Sequence, residues 1–102
     1  MSLAMQVTVL VPAALRQYSD GRGRVSVALP PDHPLTVETV FEQLHAAHPG
    51  VVERALDERG QVRPHVNVFV DGQSIRAGSA LGLETPVASG AEVWILPAVS
   101  GG

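Results

Sequence analysis

Short runs of alternating apolar and polar residues predict five β-strands along this chain. β-branched residues occupy every second position in several of the runs, as in strands that bury one face. The predicted strands are residues 7–11, 25–29, 65–70, 73–76 and 91–96. The first two are expected to pair antiparallel. Asp71-Gly72, between the third and fourth, is a strong signal for a type I′ hairpin turn.

One stretch has the period of a helix instead of a strand. The apolar residues that recur there at helical spacing are Val37, Val40, Phe41 and Leu44. Thr36 is placed to cap the N-terminus of this helix, and the sequence His48-Pro49-Gly50 predicts its end. A second, short helical piece is predicted for residues 51–56.

The order of these elements predicts an α+β fold in two layers. An amphipathic helix would cover one face of a mixed four- or five-stranded sheet, and a crossover through that helix would bring a later strand beside the first. This arrangement is the β-grasp, or ubiquitin-like, fold. We expect one domain at residues 7–96, followed by an extended tail at residues 97–102. Residues 1–6 are expected to form an N-terminal extension, interpreted in part as an expression remnant.

The composition excludes several classes of function. The chain has no cysteine and no lysine, which excludes a disulfide scaffold, a thiolate nucleophile and a lysine Schiff base. Its formal net charge of −3 and its dispersed arginines provide no basic surface for nucleic acid. No apolar run approaches the roughly 20 residues of a membrane-spanning helix. We therefore expect a cytoplasmic protein without nucleic-acid or membrane partners.

Little in the sequence indicates catalysis. His45 and His48 lie three positions apart on the predicted helix, but no third ligand at a suitable spacing completes a metal site. No glycine-rich phosphate loop precedes a helix, and no residues have the pattern of a catalytic triad. We therefore predict that the protein is not an enzyme, holds no metal and binds no cofactor of its own.

A group of large apolar residues is a candidate partner-binding surface. If the valines of each strand face the helix, these residues face outward on the open side of the sheet. They are Leu10, Phe69, Trp94 and Leu96. Two alternatives remain open at this point: a loop or a second copy covers them, or the strand register differs by one residue.

The sequence ends in Val99-Ser100-Gly101-Gly102, just after the last predicted strand. Pro97 favours an extended conformation at Leu96, so the final residues are expected to project from the domain. A tip without Cβ atoms could enter a narrow channel of another enzyme. Its reactive group would be the Gly102 carboxylate, which requires activation, most simply by attack on the α-phosphate of ATP bound to a partner. The alternative is a terminal fringe of small residues or an expression remnant, which the short distance between Leu96 and the end of the tail makes less favourable.

The chain resembles the ThiS/MoaD-type family of ubiquitin-like sulfur carriers, in particular the CysO-type carriers of actinobacteria. Residues 66–72, Val-Asn-Val-Phe-Val-Asp-Gly, and residues 93–102, Val-Trp-Ile-Leu-Pro-Ala-Val-Ser-Gly-Gly, carry this resemblance. It implies that a ubiquitin-activating-enzyme-like adenylyltransferase, with ATP, adenylates Gly102. A sulfurtransferase or persulfide would then form a thiocarboxylate. A sulfur-accepting biosynthetic enzyme would use it for cysteine synthesis or for a sulfur-containing metabolite.

Three other interpretations stay open. The chain could be a MoaD-type small subunit of molybdopterin synthase, which would co-purify with a larger catalytic subunit. It could be a protein modifier conjugated through Gly102 to lysines of target proteins. It could also be a β-grasp interaction domain whose tail is incidental, in which case deletion of Gly102 would leave its function untouched.

Overall fold

The computed structural model describes residues 5–75 and 82–97. Five strands and two α-helices account for most of this part of the chain. In chain order they are β1 (Met5–Leu10), β2 (Arg24–Leu29), α1 (Val37–Ala47), α2 (Pro49–Ala55), β3 (Val66–Val70), β4 (Gln73–Ile75) and β5 (Glu92–Pro97). Two short 3₁₀ helices lie between them, at Ala13–Tyr18 and Gly82–Glu84.

The strands form one mixed sheet in the order β2-β1-β5-β3-β4. β1 pairs antiparallel with β2, as predicted, and parallel with β5. β3 pairs antiparallel with both β5 and β4. The last strand of the chain therefore lies at the centre of the sheet beside the first. The predicted β-grasp architecture is confirmed, with five strands where four or five were expected.

The core lies between the sheet and α1, and the apolar period of α1 explains why. Four side chains at helical spacing are buried: Val37, Val40, Phe41 and Leu44. They meet the buried strand residues Val9, Val68, Val93 and Ile95, which alternate with outward-facing positions. Thr36 caps α1 as predicted, because its hydroxyl accepts a hydrogen bond from the Thr39 backbone N–H at 3.4 Å.

A second helix, α2, follows α1 after a single residue. The sequence His48-Pro49-Gly50 ends α1, but Pro49 also opens α2, which begins two residues earlier than predicted. Proline is well tolerated in the first turn of a helix because the N–H it lacks has no intrahelical partner there. Gly50 packs so closely on the Tyr18 ring that an added Cβ would lie 2.7 Å from Cδ1 of that ring.

The predicted hairpin turn is present between β3 and β4. Asp71 and Gly72 have φ angles of 48° and 87°, the left-handed values that a type I′ turn requires at both positions. The Asp71 side chain also accepts a hydrogen bond from the Glu92 backbone N–H at 3.0 Å. This contact ties the turn to the start of β5. Arg76, predicted as the end of β4, lies outside the described residues.

Several strand boundaries differ from the predictions by one or two residues. β1 begins at Met5, so Met5 and Gln6 belong to the sheet and not to an N-terminal extension. β5 ends at Pro97 instead of Leu96, because Pro97 still lies opposite Val66 of β3. Val66, one of the strand valines expected to face the helix, is half-buried and packs against the core. In the described residues, no helix is long and apolar enough to cross a membrane.

Candidate functional site

β5 contains Pro97, the last residue before the undescribed C-terminal residues. It runs between β1 and β3, and Pro97, its last residue, lies opposite Val66. Proline lacks the N–H that continues a β-ladder, which fits its position at the end of a strand. The predicted reactive tail, with Val99, Ser100, Gly101 and Gly102, lies outside the described residues. The structure therefore places the base of this tail at the central strand of the sheet.

The four residues predicted as a partner-binding surface are brought together on the open face of the sheet. Trp94 lies opposite Phe69 of β3 on one side and opposite Leu10 of β1 on the other. Leu96 follows two positions after Trp94 and so points to the same face. Trp94 and Leu96 are 38% and 36% exposed, and Leu10 and Phe69 are half-buried. We call these four residues the outer apolar patch.

Polar residues surround the outer apolar patch on neighbouring strand positions. Arg24 lies opposite Leu10, Ser74 opposite Phe69, and Asn67 opposite Leu96. Arg24 also approaches Glu92, with 3.9 Å between Nη2 and Oε2, and both side chains are largely exposed. An apolar centre with a polar rim is the usual anatomy of a protein-binding surface.

The two histidines considered as metal ligands do not form a metal centre within the described residues. No group of three or more His, Cys, Asp or Glu side chains there could hold a metal ion. His45 approaches Glu53, with 3.9 Å between Nε2 and Oε2, and both side chains are exposed. His45 and Glu53 together supply too few ligands for a structural zinc site, which needs four.

Two carboxyl groups in the described part of the chain, those of Asp32 and Asp57, have a lowered pKa, and local hydrogen bonds are the cause. The Asp57 carboxylate accepts hydrogen bonds from the backbone N–H groups of Gln61 and Arg59, and these bonds close the turn after α2. The same bonds lower the pKa of Asp57. A hydrogen bond with the His33 side chain lowers the pKa of Asp32. Both carboxyl groups are exposed and remain ordinary ionised acids near neutral pH. Neither has the raised pKa that a general acid would need.

Sequence reasoning did not single out Arg54 and Arg63, which lie beside the end of β5. Both line the same surface groove as Pro97. Arg54 is held in place by Tyr18, whose ring centroid lies 3.7 Å from the guanidinium carbon. These residues are more than thirty positions from Pro97 in the sequence, and no local pattern indicates that they meet it.

Known proteins resemble this chain over nearly its whole length. The sulfur carrier protein CysO of Mycobacterium tuberculosis is 36% identical over 100 residues, which cover 96% of this chain and 100% of that protein. Its crystal structure superposes with a TM-score of 0.77 at 34% identity, over 91% of this chain and 99% of the other. A crystal structure of an Amycolatopsis orientalis BexX/CysO complex matches with the same TM-score at 31% identity, over 94% and 99% of the two chains.

A relative with a different name also matches. Small archaeal modifier protein 1 of Haloferax volcanii is 31% identical over 80 residues, which cover 78% of this chain and 85% of that protein. The model of the ThiS family matches residues 9–102, from within β1 to the final glycine. A match of this extent, together with the near full-length relatives, establishes that the chain belongs to the ThiS family.

Proposed function

We propose that this protein is a sulfur carrier whose Gly102 carboxylate is converted to a thiocarboxylate. The observation that carries this proposal is that the family match extends through Gly102, with a sulfur carrier protein similar over nearly the whole chain. The position of Pro97 at the end of the central strand supports it, because Pro97 still pairs with β3 and the predicted tail therefore begins within the sheet. The carrier is a co-substrate and not a catalyst.

Activation uses ATP bound by a partner enzyme, a ubiquitin-activating-enzyme-like adenylyltransferase. A carboxylate oxygen of Gly102 attacks the α-phosphorus of ATP, pyrophosphate leaves, and an acyl-adenylate forms. Hydrosulfide then displaces AMP to give the thiocarboxylate directly. If the donor is a persulfide, an acyl disulfide forms first and a thiol must reduce it. This requirement for ATP places the proposed function in the cytoplasm.

The outer apolar patch is the surface by which we propose that the adenylyltransferase holds the carrier. Trp94 and Leu96 lie on β5, one to three residues before Pro97, so an enzyme bound there would contact the base of the predicted tail. Large exposed apolar residues of this kind often dominate the energy of protein–protein binding. The thiocarboxylate then donates its sulfur to a biosynthetic acceptor enzyme, in cysteine synthesis or in the synthesis of a sulfur-containing metabolite.

Conversion of the carboxylate is tested by intact-mass spectrometry. The protein is incubated with ATP, the adenylyltransferase of the same cells and a sulfide source. One oxygen is expected to be replaced by sulfur in the wild-type chain and in no chain that lacks Gly102. An unchanged mass in the presence of an adenylyltransferase that is active on another carrier would refute the proposal.

A second candidate function is a protein modifier, which the similarity to the small archaeal modifier protein favours. In that case Gly102 would form an isopeptide bond with lysines of other proteins. The chain itself has no lysine, so it cannot carry such a bond to a further copy through a side chain. Tryptic digests of cell extracts that contain target lysines joined to residues 77–102 of this chain, the peptide that follows its last arginine, would support this function.

A further inference from the structure

A groove of about 590 Å³ lies beside the point where β5 ends. The 3₁₀ helix Ala13–Tyr18, α2 and the ends of β3 and β5 contribute to its walls. Its apolar lining includes Leu15 and Val66, both half-buried against the core, as well as Pro97. Leu96 lines the groove and also belongs to the outer apolar patch. The groove and the patch are therefore continuous at the base of the tail.

The charges around this groove are mostly positive. The described lining residues include two arginines, Arg54 and Arg63, against one acidic residue, Glu53, and His65 also lines the groove. The chain as a whole has a formal net charge of −3, so this local surplus has the sign opposite to that of the protein. A positive region on an acidic protein attracts an acidic partner surface selectively.

Neighbouring contacts hold the two arginines over the groove. The Arg54 guanidinium stacks on Tyr18 at 3.7 Å and donates to the Gly50 carbonyl at 3.4 Å. Arg63 donates twice to the Glu53 carbonyl, at 3.2 and 3.0 Å, near the C-terminal end of α2. Guanidinium groups held in this way lose less side-chain entropy on binding than free ones.

We propose that this groove binds an acidic segment of the adenylyltransferase that carries an apolar anchor. The apolar anchor would lie against Leu15, Val66 and Pro97, and its carboxylates would pair with Arg54 and Arg63. This inference rests on the proposed function, since it names a second contact of the enzyme that receives the tail. It extends the docking surface from the open face of the sheet around the end of β5.

The test measures the Kd of the full-length protein for the adenylyltransferase as a function of salt. Arg54→Glu places a negative charge in the groove, whereas Arg59→Glu changes the net charge equally on an exposed turn that does not line it. Arg54→Glu is expected to weaken binding about ten-fold or more at low salt, and Arg59→Glu by less than about two-fold. The difference should shrink as salt rises, because exposed charges are screened.

A variant that should bind more tightly separates an effect of the groove's charge from an effect of misfolding, which would only weaken binding. Glu53→Gln removes the one acidic side chain among the described lining residues and should tighten binding by a few-fold. His65→Glu, at an exposed position, should weaken it as Arg54→Glu does. Circular dichroism checks that each variant is folded.

Three results would overturn the inference. The first is equal weakening by Arg54→Glu and Arg59→Glu, or no tightening by Glu53→Gln. The second is faster adenylation of Arg54→Glu, which would indicate that the groove holds the chain's own tail. The third is a concentration-dependent change in oligomeric state, which would indicate that a second copy of this chain occupies the groove.

If the wild-type chain acquires sulfur while these variants behave alike, only the groove inference fails. If the wild-type chain acquires none, the proposed function fails.

Discussion

Trp94 and Phe69 lie directly opposite each other in the antiparallel ladder between β5 and β3, on the face of the sheet away from α1. Phe69 is half-buried, whereas Trp94 keeps 38% of its surface exposed. Cross-strand aromatic pairs stabilise a sheet modestly. The exposed part of the Trp94 ring contributes little to that stability and remains available for a partner.

Trp94→Ala should therefore affect binding more than folding. We expect the Kd for the adenylyltransferase to rise by about ten-fold or more, because truncated aromatic hot spots typically cost more than 1 kcal/mol. Leu83→Ala is the matched control, since Leu83 is partly buried and does not belong to the outer apolar patch. Titration calorimetry of the two variants provides the comparison. Equal losses of affinity would contradict a docking role for Trp94.

Two leucines should differ in their contribution to stability. Leu44 of α1 is fully buried in the core, whereas Leu96 is 36% exposed. Leu44→Ala should lower the free energy of unfolding by about 2–5 kcal/mol, because it removes buried methyl groups and leaves a cavity. Leu96→Ala should lower it by less than about 1 kcal/mol. Urea denaturation measures both, and similar values would contradict the assigned burial.

A side chain at Gly50 should destabilise the fold while Tyr18 is present. An added Cβ would lie 2.7 Å from Cδ1 of the Tyr18 ring, so α2 or the ring must shift. Gly50→Ala should therefore lower the free energy of unfolding by about 1–3 kcal/mol, the usual cost of overpacking. In a Tyr18→Ala background the same substitution should cost much less. A double-mutant cycle by urea denaturation detects this coupling, and additive effects would show that the contact is not responsible.

The turn closed by Asp57 should contribute to the acid sensitivity of the fold. Backbone N–H groups of Gln61 and Arg59 lower the pKa of Asp57 below its ordinary value of 3.8. Its stabilising contribution is therefore present above pH 3.8 and is lost as the pH falls through the lowered pKa. Asp57→Ala should reduce the stability near neutral pH and flatten its decrease in acid. Urea denaturation across this pH range would contradict the assignment if the two proteins changed in parallel.

The sequence predicted those features of the fold that depend on local periodicity. The apolar spacing of Val37, Val40, Phe41 and Leu44 identified the buried face of α1, because this spacing is a property of one helix. The alternation of Val93 and Ile95 with Trp94 and Leu96 likewise separated the two faces of β5. Given this alternation, the outer apolar patch forms if the outward residues of neighbouring strands lie opposite one another. The structure shows that Trp94 lies opposite both Leu10 and Phe69.

Features that depend on contacts between distant residues could not be predicted in this way. The packing of Gly50 on Tyr18 joins two segments whose local sequences give no sign of it. The groove beside Pro97 combines Leu15, Arg54 and Arg63 from three separate segments. Their proximity follows from the tertiary fold alone.

The central claim, that Gly102 carries sulfur, is tested most directly by the intact mass of this chain after incubation with ATP, the adenylyltransferase and sulfide. The account predicts a mass increase equal to the difference between sulfur and oxygen. It further predicts that the increase depends on ATP and disappears when Gly102 is deleted. An unchanged mass with an active enzyme, or an equal increase in the chain without Gly102, would contradict it.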